Sequence, residues 1–256
     1  MKSISFKCLS LVFASLFFVS CASKKDLLYL QNVEEIDNMQ GSLSYEPKLQ
    51  KDDLLSIIVA AAQPELTIPF NLPQIQGNYQ INQNQDGIKT YLIDIDGYIV
   101  FPVIGKIKLA GLTRSQAVKM LEDSIKEYIK NPSVNLRILN YKFSVIGEVN
   151  NPGTFKIESE RITLLEALSQ AGDLTIYGKR SNILIIREIN GKKEYNRIDI
   201  TKADFVNSPF YYLVQNDVIV VEPNKTKVNS SVIGPNITVT ISALSLLTTI
   251  LLIITR

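Results

Sequence analysis

The sequence predicts an α+β protein: two mixed modules in tandem, ending in one long apolar helix. Three observations carry this expectation. Two helix starts, "LTRSQA" at Leu112 and "ITLLEA" at Ile162, each follow a short strand-like run, "VIGKI" at Val103 and "VIGEV" at Val145. Alternating apolar runs punctuated by Asp-Gly and Asn-Gly pairs fill the chain around them, the pattern of strands joined by tight turns. No charged residue lies between Lys227 and Arg256.

At the N-terminus, Lys2 and Lys7 precede "CLSLVFASLFFV", about a dozen residues, too short to span a bilayer and of the right length for a signal-peptide core. Residues 1–20 are therefore expected to be a lipoprotein-type signal peptide. Ser20-Cys21-Ala22-Ser23 resembles a bacterial lipobox, with Phe18 where Leu is usual, which makes Cys21 the lipidated first residue of the mature chain. The alternatives are a plain secretory signal with an incidental cysteine and an uncleaved inner-membrane anchor. No Asp stands directly behind Cys21, which by likeness to lipoproteins generally favours the outer membrane. Residues 21–43 are expected to be a lipid-anchored linker.

The first module is expected over residues 44–140. In "YEPKLQKDDLLSIIV" Asp53 leads into a strand, and "YYLVQNDVIVV" repeats the arrangement at Asp217. Asp bonds its own backbone readily at such places, so both are expected to form turns rather than to act as catalytic carboxylates. The stretch Pro64 to Asp86, rich in Gln, Asn and Pro, is expected to be an exposed loop insertion. "TYLIDIDGYIVF" predicts a hairpin turning at Asp96-Gly97; its Asp94-x-Asp96-Gly97 lacks the third Asx and the distal Glu of a calcium loop, so no metal site follows. Thr113 with Gln116 forms a capping box, with Leu112 stapled to Ala117. That helix carries Val118, Leu121, Ile125 and Ile129 on one face and stops before Asn131-Pro132. "SVNLRILNYKFSVIGEV" then alternates over two strands.

The second module is expected over residues 141–226. Thr163 and Glu166 repeat the capping box, Ile162 staples to Ala167, and Gly172 ends the helix. "ILIIREINGKKEYNRI" predicts a hairpin at Asn190-Gly191.

Over residues 233–256, Gly234-Pro235 is a fair helix start, and a helix from Pro235 to Thr255 is roughly 32 Å long, matching a bilayer's hydrocarbon core. A C-terminal transmembrane helix is expected; the β-branched "ITVTI" supports the alternative of a buried strand hairpin. At 100° per residue Thr238, Ser242, Ser245 and Thr249 fall within an arc of roughly 60°. They are expected to face the lumen of a pore, the alternative being hydroxyls bonded to the carbonyl four residues back or packed against neighbouring helices.

Composition excludes much chemistry. Histidine and tryptophan are absent, and Cys8 and Cys21 are the two cysteines. No Ser-His or Cys-His nucleophile and no His-ligated zinc is available. There is no G-x-x-x-x-G-K-[ST] phosphate loop and no G-x-G-x-x-G. No catalytic residue, metal ligand or cofactor is therefore assigned. Net charge is +2 with both signs dispersed, so nucleic acid is not an expected partner.

"YEPKLQKDDLLSIIV" together with "IDIDGYIVFPVIGKIKLAGLTRSQAVKMLEDSIKEYIKNPSVNLRILN" is similar to the polysaccharide-export domain of Wza-type outer-membrane lipoproteins. "YKFSVIGEVNNPGTFKIESERITLLEALSQAGDL" through "LVQNDVIVVEP" resembles the β-grasp-like SLBB module of the same proteins. The D-G-x-I-x-x-P-x-I-G and G-x-V-x-x-P-G blocks are the specific parts. The resemblance implies a non-enzymatic homo-oligomeric ring, lipid-anchored in the outer membrane with its bulk in the periplasm. Its C-terminal helices would form a pore for capsular or exopolysaccharide delivered by an inner-membrane co-polymerase or tyrosine autokinase. Larger members carry two SLBB copies, and this chain has room for one. The alternatives are a glycan- or protein-binding scaffold lipoprotein with a simple C-terminal anchor, and a carboxylate-dependent glycan-processing enzyme.

Overall fold

The computed structural model describes residues 24–35, 46–71, 90–189, 191–232 and 235–254. In the first module, β1 (Leu54–Ala60) lies between β2 (Thr90–Leu92) and β5 (Ser133–Ile138), antiparallel to both. β3 (Tyr98–Phe101) and β4 (Gly105–Lys108) form a separate hairpin. α1 (Arg114–Ile125) packs on β5. The period-two pattern of β5 buries Val134 and Leu136 and exposes the residues between them, and Leu55, Ile57, Leu121 and Ile125 meet them in one core.

Local signals in the sequence hold where they stay local. Both halves of the Thr113–Gln116 capping box are made, but α1 ends at Ile125; Ile129 still reaches the core from the turns beyond. Three expectations need correction. The Asp96-Gly97 turn forms, with Asp94 Oδ1 accepting from the N–H groups of Asp96 and Tyr98, but its two flanks do not pair as one ladder. β2 goes to the well-buried β1, and β3 pairs instead with β4, the next run in the chain. "VIGKI" is not a strand throughout: Val103 (φ 68°) and Gly105 (φ 90°) make the turn into β4, whereas Val145 to Gly147 close a strand. The start of the expected loop insertion is a 3-10 helix, Pro64–Phe70, with Phe70 in the core, and Asn71 bonds both the N–H and the C=O of Val59. The remainder of that stretch lies outside the described residues.

The second module is a five-stranded sheet in the order β7-β6-β10-β8-β9. Its strands are β6 (Lys142–Gly147), β7 (Gly153–Lys156), β8 (Gly178–Ile189), β9 (Lys192–Ile198) and β10 (Val218–Pro223). β10 runs parallel to β6 and the other pairs are antiparallel. α2 (Leu164–Gln170) buries Leu164, Ala167 and Leu168 in the module's core. Its capping box is complete, and it ends in a Schellman motif: Gly172 (φ 74°) donates to Ser169 O and Asp173 to Leu168 O. The β8–β9 hairpin closes as expected, Ile189 opposite Lys192.

One turn occurs twice. Asp52 (φ 65°) and Asn216 (φ 66°) each precede a buried Asp whose carboxylate accepts the N–H three residues back, from Gln50 to Asp53 and from Val214 to Asp217. Both turns meet at Asn140, between the modules. Its amide accepts from Leu54 N (2.9 Å) and donates to Asp52 O (2.8 Å), while its carbonyl accepts from Gln215 Nε2 (2.9 Å).

Beyond the modules, α3 (Lys225–Val232) and α4 (Pro235–Ile254) follow. The mixed helix and strand content agrees with the two expected modules, but the transmembrane part of the expected fold is overturned. Among the described residues no helix is long and apolar enough to cross a membrane. Six of the residues of α4 are Ser or Thr and it opens on Pro235-Asn236, leaving Ile250–Ile254 as its longest unbroken apolar run. A span needs about 20 predominantly apolar residues in succession.

Candidate functional site

One concavity among the described residues is built by a segment the sequence suggested was only a linker. Residues 24–32 cross to the second module: Leu30 N donates to Ile200 O (3.3 Å), Gln31 N to Thr201 O (2.8 Å), and Ala203 N to Asn32 Oδ1 (2.6 Å). Tyr29 and Leu30 pack against the module's core. The Tyr29 hydroxyl donates to Oδ1 of Asp173, the last residue of the Schellman turn, at 2.5 Å, and the Arg180 guanidinium lies 5.3 Å from the Tyr29 ring centre. Burial, and then the bond to Asp173, push the Tyr29 phenol up to about 12, so it stays a neutral donor.

This strap and α2 border an open cleft of about 440 Å³ lined by Tyr29, Leu165, Leu168, Ser169, Gly172 and Asp173. Two leucines line it together with hydroxyls and a carboxylate, which suits a ligand with both apolar and polar groups. Nothing in its wall is an activated nucleophile. Sequence reasoning missed Tyr29 and Asp173; the Gly172-Asp173 pair ending α2 was the available signal, and Tyr29 had none.

A second ordered feature is the aromatic loop Phe210-Tyr211-Tyr212. Arg187, buried, donates from Nε and Nη2 to the Asp217 carboxylate and also to Pro209 O and Tyr212 O, with Phe210 over its guanidinium. One ion pair therefore fixes the path of the loop. Among the described residues Asp53 has no such cation: one of its oxygens lacks a partner, and burial pushes its carboxyl up to about 6. The two Asp residues stand in different modules, each within its own turn, and form no catalytic pair.

The expected lipidation residue Cys21 lies outside the described residues. The four hydroxyl positions of α4 share one helix face by their spacing. Of their side chains, Ser242, Ser245 and Thr249 are exposed and described; that of Thr238 is not. Thr249 Oγ1 donates to Ser245 O (2.8 Å), four residues back, and Thr248 Oγ1 shares the same carbonyl (2.8 Å). At least part of the hydroxyl row is therefore bonded to its own backbone.

Comparison with known proteins supplies the remaining findings. A family model described as polysaccharide biosynthesis/export protein matches residues 42–139, and an SLBB domain model matches residues 141–221. The chain is 31% identical over 193 residues to the EPS I polysaccharide export outer membrane protein EpsA of Ralstonia solanacearum, covering 72% of this chain and 50% of that protein. It is 34% identical over 141 residues to the EPS I polysaccharide export outer membrane protein EpsA of Ralstonia nicotianae, covering 53% and 37%. The chain thus spans half or less of the length of these relatives.

Proposed function

The chain belongs to the polysaccharide biosynthesis/export family, and from that membership we propose that it is a non-enzymatic subunit of an oligomeric conduit passing capsular or exopolysaccharide across the outer membrane. The consecutive match to an export domain and an SLBB domain, joined without a gap larger than one residue, is the observation that carries this reading. In it the chain sits at the outer membrane, attached through a lipid on Cys21, with its two modules in the periplasm. It closes into a ring of identical copies and receives polymer from an inner-membrane co-polymerase or tyrosine autokinase. The hydroxyl row Thr238, Ser242, Ser245 and Thr249 faces the passing polymer, where weak donors wet a surface without holding charged sugars tightly.

A conduit requires many copies closed about an axis, which a tethered binding protein does not. Native mass measurement on protein extracted in mild detergent is the test. A single closed stoichiometry supports the conduit; a monodisperse monomer at high concentration removes it. The bond from Thr249 to the Ser245 carbonyl favours the second reading, a glycan- or protein-binding scaffold without a pore.

A further inference from the structure

The loop Asp173–Gly178 is held from two sides by segments that lie far apart in the sequence. On one side Tyr29 bonds Asp173, and Arg180, stacked beneath Tyr29, donates to the carbonyls of Leu174, Thr175 and Gly178. On the other side Asn224 N donates to Tyr177 O (2.7 Å) and Asn224 Nδ2 to Ile176 O (3.2 Å). Lys227 lies 5.1 Å from the Tyr177 ring centre and 3.8 Å from Glu148. The segment opening at Lys24 and the segment continuing into α3 and α4 therefore leave the second module beside the same loop.

The loop itself presents Ile176, 67% exposed although it is apolar. Leu27 and Leu28, directly before Tyr29, are also exposed, and Lys24, Lys25, Lys225 and Lys227 stand on the two flanking segments. Of the acidic groups here, Asp173 is bonded to Tyr29 and its neighbouring backbone, and Glu148 accepts from Thr175 and pairs with Lys227, leaving Asp26 on the flank. Isolated apolar tips framed by lysines fit a bilayer surface, where the tips enter the headgroup region and the ammonium groups meet lipid phosphates.

We propose that the Asp173–Gly178 face of the second module rests on an anionic lipid surface, with Ile176 at its centre. This rests on the membrane location in the preceding reading but not on its conduit. The occupant is lipid rather than a second copy of the chain, because the segment that follows the proposed lipid at Cys21 and the lysines of both flanking segments converge on this one face.

The test uses the full-length chain carrying Cys8→Ser, with Cys21 retained, reconstituted into vesicles of phosphatidylethanolamine and phosphatidylglycerol. Ile176→Cys is compared with Val100→Cys, a similarly exposed apolar position on the β3–β4 hairpin of the first module. Each carries an environment-sensitive fluorophore, and the parent without added cysteine sets the background. The expected result is several-fold stronger quenching of the label at 176 by nitroxide lipid, with aqueous iodide quenching 100 instead. Lys225→Glu with Lys227→Glu should reduce the lipid quenching at 176. Iodide quenching at 176 equal to that at 100 overturns the proposal, as does shielding of 176 from both quenchers, which marks a protein contact. A monomer with 176 in lipid removes the conduit and keeps this face; a closed ring with 176 in water does the reverse.

Discussion

Asp53 and Asp217 occupy the same position in two copies of one turn, and among the described residues only Asp217 faces a cation. In each copy the preceding residue has a left-handed backbone, the carboxylate accepts a backbone N–H at 2.7 or 2.8 Å, and a buried strand follows. Arg187 then meets Asp217 through Nε at 3.0 Å and Nη2 at 2.7 Å, while Asp53 keeps one buried oxygen without a partner among the described residues. Burial raises the carboxyl of both, and at Asp217 the Arg187 guanidinium opposes that rise, so the two turns differ in their partner and not in the direction of their shift.

For Asp53, burial raises the folded-state carboxyl to about 6, above the unfolded value near 4. The folded state thus binds the extra proton between these values, so this group destabilises the fold above pH 6 and ceases to do so as pH falls towards 4. The shift of about two pH units corresponds to about 3 kcal/mol at most. Asp53→Asn should keep the bond from Gln50 and lose the charge. Urea unfolding from pH 4 to 7.5 should show the variant gaining on the wild type as pH rises through 6. A constant difference across that range would mean that Asp53 does not titrate there.

For Asp217 the test is the ion pair itself. Asp217→Ala strands a buried guanidinium and should cost about 3–5 kcal/mol, whereas Arg187→Met with Asp217→Leu should recover much of that loss. Because Arg187 also holds Pro209 O and Tyr212 O, the single variant should loosen the aromatic loop as well. Unfolding free energies, with tyrosine fluorescence as the local probe, would check both effects.

Both capping boxes were legible because each joins residues three apart, Thr113 with Gln116 and Thr163 with Glu166, so the sequence itself holds the contact. The Schellman end at Gly172 was legible for the same reason. The strap was not. Tyr29 meets Asp173 across 144 residues, and the short apolar run Leu27–Leu30 carries no period that points to a distant loop. The Asp96-Gly97 turn was visible, but a turn signal says nothing about which strand each flank will join, and burial sent β2 to β1. Asp53 and Asp217 were read as turn formers, which they are; the difference between them depends on Arg187, thirty residues from Asp217, and could not be seen locally. At the C-terminus the absence of charge suggested a membrane span, yet the interspersed hydroxyls break the apolar run.

Gly147 offers a sharp check of the second module. At φ 97° a Cβ there would stand 2.1 Å from the carbonyl oxygen of Val221, a backbone atom that cannot swing aside. Gly147→Ala should break the parallel pairing of β6 with β10 and cost about 4 kcal/mol or more. Gly191→Ala, where a Cβ meets nothing within 4 Å, should cost far less, through its φ of 75° alone. Comparable thermal stability of the two variants would contradict the close approach at Gly147.

The joint at Asn140 should set how the two modules are held. Its side chain bonds Leu54 N and Asp52 O in the first module, while its carbonyl receives Gln215 Nε2, and Gln215 Oε1 in turn accepts from Lys142 N at 2.7 Å. Arg114 on α1 adds a link to Glu160 in the second module at 3.0 Å, but both side chains are exposed, so that pair contributes little. Asn140→Ala removes both bonds to the first module, about 1 kcal/mol each, without touching either core. Asn140→Asp keeps an acceptor for Leu54 N and faces the Asp52 carbonyl with an oxygen that cannot donate, so it should lie between wild type and Ala. Spin labels at Lys106 and Lys193, one on each module, would report the outcome as a distance distribution. A narrow distribution in the wild type should broaden in Asn140→Asp and more so in Asn140→Ala, with the unfolding of each module changed little. Identical widths in all three would show that the modules are fixed by contacts other than this residue.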